Sequence, residues 1–296
     1  MEHLGERFGF GPAEQACAER LIELAMAEDL GERGDITARA VIPATAEGAG
    51  RMVARAGGVL SGMPVVAALA SWFSGRIVLE DCLGDGATVV PGMTLARVSG
   101  LVRSLLAFER TALNFLQRLS GIATLTARYV EAVRGTRAVI LDTRKTTPGW
   151  RALEKYAVRC GGGRNHRLGL YDAVLIKDNH LAWLAGSGDP IPNAVAAARA
   201  AVPPGTMIEI EVDGLDQLDQ ALRCRPDVVL LDNFPIALLA EAVRRRDRSA
   251  PGVLLEVSGG VVLESVWSIA SSGVDRISVG ALTHSAPALD VALDLL

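Results

Sequence analysis

Between Asp142 and His180 the chain reads DTRKTTPGWRALEKYAVRCGGGRNHRLGLYDAVLIKDNH, with eight lysines and arginines against four carboxylates. That +4 segment sits in a 296-residue chain of formal charge −4, so the remainder carries −8 and the positive charge is local. A local cationic patch on an acidic chain suits a small, multiply anionic substrate focused into a cleft; nucleic acid would need a broad basic face. Arg144, Lys145, His166, Arg167 and Lys177 are the candidate anion ligands. Arginine supplies bidentate forks for carboxylate and phosphate, and lysine supplies compact charge. Glu211 and Asp232 offer hard oxygens of the kind that hold Mg²⁺ with a substrate's phosphate or ribose hydroxyls. Ser258-Gly259-Gly260 and Ser278-Val279-Gly280-Ala281 expose backbone N–H groups where a phosphate can rest.

The elements that must carry these groups follow from apolar rhythm. Six short β-rich runs, AVILDTRK, AVLIKDN, MIEIEVD, VVLLDN, LLEVSGG and RISVGA, each stop at one of the candidate residues and are mostly followed by helical sequence. Near-continuous apolar strands are expected where both faces are covered, as in a parallel α/β sheet or barrel, and reactive groups at their C-terminal ends form the catalytic rim of such a barrel. Six strands do not complete an eightfold barrel. Ahead of them, Glu14 to Leu30 has helical spacing and a glycine stop. Arg51–Met63 and Arg76–Val98 read as short antiparallel strands, including a hairpin-like DGATVVPGMTLARV, and helices follow at 101–119 and, after Gly121, at 122–133.

Composition narrows the class further. The length allows one large or two ordinary domains. Cys17, Cys82, Cys160 and Cys224 show no CxxC spacing, which argues against zinc and against a secreted disulfide framework. The amino terminus lacks a cationic start followed by an apolar run, and no stretch is long and apolar enough to span a bilayer, so a cytoplasmic protein without membrane partners is expected. Aromatics make up 4% of the chain, a poor supply of base-stacking platforms.

Each candidate alone has a structural alternative. Lys145 and Lys177 could be solvated strand-end lysines. Glu211 alternates with Glu209 and Asp213, as on an edge strand with a charged face. The triple glycine at 161–163 reads as a flexible turn, His166 as a capping or packing histidine, and the cysteines as buried apolar residues. The functional reading rests on their sharing one rim.

The motifs DTRKTTPG (142–149), EKYAVRCGGGRNHRLGLYDAVLIKDNH (154–180), EVDGLDQLDQAL (211–222), LLDNF (230–234), LEVSGG (255–260) and ISVGALTH (277–284) resemble quinolinate phosphoribosyltransferase. EDLGERGDIT (28–37) and FERTALNFLQRLSGIAT (108–124) extend the resemblance over nearly the whole chain. It implies an α/β fold with an amino-terminal α/β sandwich, 1–118, completed by a carboxy-terminal helix, 284–296, and a truncated α/β barrel, 119–283. It implies a homodimer or a multiple of dimers. Quinolinate's carboxylates would meet Arg144, His166, Arg167 and Arg110 of the partner subunit. Lys145, Lys177, Glu211 and Asp232 would surround the ribose, pyrophosphate and Mg²⁺ of phosphoribosyl pyrophosphate, with the 5′-phosphate on Ser258, Gly259 and Gly280 near His284. Departures are Arg164 in the GGG-x-NHR loop, Gly260, and stretches around 183–205.

Rival readings are a paralogue that uses nicotinate or another acceptor, a Schiff-base lyase with Lys177 as nucleophile, and a carrier with a biotinyl-type hairpin. The intact KDN and NHR motifs disfavour the first, the crowd of cations the second, and Thr94 in place of a modified lysine the third.

Overall fold

The computed structural model describes residues 8–184, 186 and 188–296. The start of the chain, where no leader is expected, lies outside the described residues as far as residue 7. The chain forms two compact units, both discontinuous. One comprises Met1–Ala127, Lys145–Gly162 and Leu282–Leu296, the other Arg128–Arg144 and Gly163–Ala281. Compactness thus divides the chain at other places than 118/119. Elements are numbered in chain order.

The first unit opens with α1 (Pro12–Leu30), which has proline at its start, where a missing N–H costs nothing, and Gly31 at its end with φ 48°. Cys17, Ala18, Ile22 and Met26 form its buried stripe. α2 (Ile36–Val41) follows, its N-terminus capped by Asp35, which accepts the Ala38 N–H at 2.8 Å. Then come β1 (Glu47–Ala54), β2 (Gly58–Val59), α3 (Met63–Trp72), β3 (Ile77–Glu80), β4 (Thr88–Val89) and β5 (Thr94–Leu101). α4 (Val102–Ala132) runs on out of this unit, whereas α5 (Arg151–Cys160), the end of α11 (Ala281–His284) and β12 (Val291–Leu295) return to it.

Three expectations need correction here. The carboxy-terminal segment is a strand, not a helix: β12 pairs antiparallel with β1 in a sheet of order β12-β1-β5-β3. Its alternating Val291, Leu293 and Leu295 have the period of a strand. The hairpin does not close on itself, because β4 pairs with β2 and β5 with β1 and β3. The two helices around Gly121 are one helix of 31 residues. A mid-helix glycine costs only about 1 kcal/mol against alanine, and the buried stripe through Leu105, Phe108, Ala112, Leu116, Leu119 and Ala123 outweighs it.

The second unit is the truncated barrel expected from the sequence. β6 (Val139–Leu141), β7 (Val174–Ile176), β8 (Ile208–Val212), β9 (Val228–Asp232), β10 (Leu254–Ser258) and β11 (Arg276–Ser278) form one sheet of order β6-β11-β10-β9-β8-β7, every pair parallel. The connections include α6 (Asp178–Leu184), α7 (Pro190–Ala201), α8 (Leu215–Cys224), α9 (Ile236–Ser249) and α10 (Leu263–Ala270). Ile210, Val229, Leu231, Leu255, Val257 and Ile277 are buried along the strands, with Leu218, Leu222, Leu239, Val266 and Ile269 buried on the helices. Each is worth about 1.5–3 kcal/mol of transfer free energy. Arg164 lies against the edge strand β6 in a parallel bridge to Leu141: its N–H donates to Ile140 O at 2.9 Å, and the Asp142 N–H donates to its carbonyl at 3.2 Å. Among the described residues no helix is long and apolar enough to cross a membrane.

Candidate active site

The C-terminal strand ends of the second unit carry most of the candidate residues. Lys177 follows β7, Glu211 lies in β8, Asp232 ends β9, Ser258 ends β10, and Gly280 stands two residues past β11. Lys177 Nζ donates to Glu211 Oε2 at 2.6 Å, a short charge-assisted bond across two adjacent strand ends. Asp232 is opposite Ser258 in the β9–β10 register. β8 is paired on both sides, so the edge-strand alternative for Glu211 does not hold.

The glycine strand end after β10 is built around a close approach. Gly259 has φ 92°, and a Cβ there would sit 2.3 Å from Asn233 Oδ1 and 3.0 Å from the Asn233 nitrogen. Asn233 itself has φ 51°, donates its backbone N–H to Ser258 O at 2.9 Å, and donates through Nδ2 to Asp232 Oδ2 at 2.8 Å. Glycine is thus required at 259 by space as well as by backbone conformation.

Asp142 organises the segment lying against β6. It is fully buried and accepts from Asn165 Nδ2 at 2.5 Å and from the His166 N–H at 2.9 Å. Asn165 and His166 are thereby fixed after the glycine turn. Arg167 follows, with Nη1 donating to Ala173 O at 3.1 Å; burial and the charge of Arg144 lower its pKa. Arg144 is exposed in the loop after β6.

The His166 ring points among carboxylates that sequence reasoning did not select. Its Nε2 lies 3.0 Å from Glu209 Oε2 and 3.3 Å from Glu256 Oε1, and both glutamates are buried. Ser278 Oγ donates to Glu256 Oε1, and Arg276 stands 3.9 Å from its other oxygen. Burial works to lower the pKa of the ring, but the hydrogen bonds and charges of Glu209 and Glu256 prevail and raise it to about 10. Burial, then the charge of Glu256, pushes the Glu209 carboxyl up. Nδ1, however, accepts the Arg167 N–H at 2.8 Å, which requires a lone pair there. An imidazolium between two carboxylates and a neutral imidazole beside one protonated carboxyl carry the same charge, and the Nδ1 contact selects the second. The ring therefore keeps its proton on Nε2. The same contact disfavours a metal among His166, Glu209 and Glu256, since an imidazole bound through Nε2 carries its proton on Nδ1. A cavity of about 460 Å³ adjoins this cluster, lined by His166 and Arg167 together with Arg137, Arg164, Met207 and Arg276 among others. The signal for the two glutamates was present as single acids inside apolar runs, Glu209 two residues before Glu211 and Glu256 two before Ser258.

The remaining candidates belong to the first unit. Arg110 is exposed on α4, and Lys145 is exposed, its carbonyl accepting from Thr283 Oγ1 at 2.8 Å. His284 is exposed with Nδ1 2.6 Å from Ser285 Oγ. Several cations of the opening segment have structural duties instead of solvent exposure. Lys155 is fully buried, and Arg159 donates to Phe8 O, Gly9 O and Glu14 Oε1 at 2.7–3.0 Å. Gly161 caps α5 where a Cβ would lie 2.4 Å from Ala123 O, so the glycine run is a packing device as well as a turn. Cys160 is buried beside Asp85, and burial followed by that charge pushes its thiol up to about 12, which leaves little thiolate for chemistry. All four cysteines are free; Cys82 and Cys224 are only partly buried.

Fold and rim together define a barrel enzyme for a small, multiply anionic substrate. Residues 35–120 match the amino-terminal domain, and residues 122–294 the carboxy-terminal domain, of quinolinate phosphoribosyl transferase. A nicotinate-nucleotide pyrophosphorylase [carboxylating] of Mycobacterium leprae is 49% identical over 94% of this chain and 97% of its own. A quinolinate phosphoribosyltransferase [decarboxylating] of Nicotiana glauca is 37% identical over 93% and 81%. The structure of the nicotinate-nucleotide pyrophosphorylase from Francisella tularensis superposes with a TM-score of 0.87 at 38% identity, covering 95% of this chain and 96% of that one. The chain belongs to the quinolinate phosphoribosyl transferase family.

Proposed function

We propose that the protein transfers the phosphoribosyl group of phosphoribosyl pyrophosphate to quinolinate, giving nicotinate mononucleotide, pyrophosphate and CO₂. The observation that carries this reading is the Lys177–Glu211 pair, with Asp232 at the end of the next strand and Ser258 opposite it ahead of the Gly259 turn. Arg144 and Arg167 meet the two carboxylates of quinolinate, with Arg110 of the partner subunit completing the set in a homodimer. Lys145, the residue after Arg144, and Lys177 face the pyrophosphate. Ser258, Gly259 and Gly280 hold the 5′-phosphate through backbone N–H groups, near His284.

Glu211 and Asp232, partly exposed carboxylates on neighbouring strands, form a donor set suited to Mg²⁺, with phosphate oxygens and water completing its shell. When bound, Mg²⁺ neutralises charge on the leaving pyrophosphate. The chain's own groups position the reactants. Lysine charge stabilises pyrophosphate as its bond to ribose C1 breaks, and the arginines hold the quinolinate nitrogen toward the opposite face of that carbon. The nitrogen–C1 bond makes the ring cationic. The adjacent carbon–carboxylate bond then breaks, its electron pair staying on the ring carbon beside the cationic nitrogen, and that carbon takes a proton from water. A cytoplasmic place in pyridine nucleotide synthesis accords with this chemistry.

Incubating the protein with Mg²⁺, phosphoribosyl pyrophosphate and, in turn, quinolinate, nicotinate or nicotinamide tests the reading. Mononucleotide from quinolinate alone is expected; equal or greater turnover with nicotinate would replace it with the paralogue reading.

A further inference from the structure

Lys145 stands in a stretch that no ladder holds: residues 142–150, between β6 and α5, belong to no helix or strand. Its main chain is fixed at two points all the same. The Lys145 carbonyl accepts from Thr283 Oγ1 at 2.8 Å, and two residues on, the Thr147 N–H and hydroxyl donate to Glu154 Oε2 and Oε1 at 3.1 and 2.9 Å. Both anchors lead to Arg118. Its Nη2 donates to Glu154 Oε1 at 2.7 Å and to the Thr283 carbonyl, and its Nη1 donates to Ala286 O at 3.3 Å. The bonds close a ring through Lys145, Thr283, Arg118, Glu154 and Thr147, completed by the chain from Thr147 back to Lys145. Glu154 and Thr283 are fully buried. A buried ion pair adds little net stability, because desolvation offsets much of its attraction and apolar side chains would hold the same segments together as well. What directional bonds supply is placement, and these end on main-chain atoms of Lys145, Thr147, Thr283 and Ala286. His284 directly follows Thr283, so the ring ties the backbone at Lys145 to the backbone at His284.

We propose that Arg118, Glu154 and Thr283 are positioning residues, which hold the main chain of Lys145 beside that of His284 and so set the lysine for the pyrophosphate of the phosphoribosyl substrate. The inference rests on the proposed reaction for what Lys145 faces; the ring itself is a property of the chain. Displacing a group that stabilises the transition state by about an ångström costs about a hundredfold in rate, so a ring loosened at one bond should cost about tenfold. The requirement at 283 is a hydroxyl that donates, which serine meets and valine, of nearly the same shape, does not. At 118 it is a planar fork: a lysine keeps the charge but cannot serve Glu154, Thr283 and Ala286 together.

Two measurements on the full chain test this. In steady-state kinetics, Thr283→Val and Arg118→Lys should each lower kcat about tenfold or more while the KM for quinolinate stays within about threefold, and Thr283→Ser should stay within about threefold of the parent in both. In a Lys145→Ala background, where nothing is left to aim, the same Val and Lys substitutions should cost less than about threefold. Equal losses in the Ser and Val variants, or a Val loss that persists undiminished without Lys145, would overturn the proposal, because a merely structural threonine gives that result. In hydrogen exchange, Thr283→Val should speed the Thr147 amide and its neighbours about fivefold or more and leave β1 and β5 unchanged. Unchanged exchange at Thr147, or faster exchange throughout the first unit, would count against a local anchor. If the parent protein fails to turn over quinolinate at all, the functional reading falls, while exchange still decides whether the ring fixes the Lys145 stretch.

Discussion

Gly259→Ala is the substitution whose cost the structure lets one work through. At φ 92° an alanine backbone is strained by about 1–3 kcal/mol. The added methyl would stand 2.3 Å from Asn233 Oδ1, so Asn233 must swing away and give up its 2.8 Å bond to Asp232, worth about 0.5–1.5 kcal/mol. Together these predict a loss of about 2–4 kcal/mol in urea unfolding. Asn233→Gly alone removes the same bond but relaxes a backbone already at φ 51°, so it costs about 1 kcal/mol or less. In the double variant the collision is gone while the φ strain and the 3.0 Å approach to the Asn233 nitrogen remain. The pair should therefore be less damaging than the sum of its parts by about 1–2 kcal/mol. Kinetically, Gly259→Ala should raise the KM for phosphoribosyl pyrophosphate about tenfold or more and leave that for quinolinate within about threefold. Strictly additive stabilities, or an equal rise in both KM values, would refute the reasoning.

Burial pushes the Asp85 carboxyl up to about 6, against the Gly62 and Met63 N–H bonds and the Tyr156 hydroxyl bond it accepts. A folded pKa above the unfolded value of about 3.8 means that stability falls as pH rises from about 4 to about 6 and is flat above. The contribution is about 3 kcal/mol, so Asp85→Asn should flatten the urea-unfolding profile across that window relative to the parent, and parallel profiles would contradict it. Lys145→Ala or Arg167→Ala should lower turnover by about a hundredfold or more with unchanged circular dichroism, and near-normal rates would remove that residue from the site. Mixing Arg110→Ala with Lys145→Ala protein should restore part of the activity if Arg110 serves the partner's site; no rescue after confirmed subunit exchange counts against sharing.

Much of the barrel was legible because its strands are short apolar runs that end abruptly at polar residues. Those ends named Lys177, Glu211, Asp232 and Ser258, which the sheet then placed on one rim. The charged interior was not legible. Glu209 and Glu256 lie within apolar strands, and nothing local shows that a histidine from a distant loop will meet them. The carboxy-terminal strand escaped notice because Val291–Leu295 is stabilised by pairing with β1, more than two hundred residues earlier, and no cap or turn marks it. The burial of Lys155 and the bonding of Arg159 to Phe8 were not legible either, because helical spacing alone cannot tell an exposed face from one covered by a remote segment. Gly121, read as a break, sits inside α4 because tertiary burial overrode propensity.

The central claim is that one rim couples ribosyl transfer to loss of a carboxylate. Its most direct test is the stoichiometry of products from quinolinate carrying a labelled 2-carboxylate. The account predicts one CO₂ and one pyrophosphate per mononucleotide, with no CO₂ when phosphoribosyl pyrophosphate is omitted. Pyrophosphate release without CO₂, or CO₂ release without phosphoribosyl pyrophosphate, would contradict it.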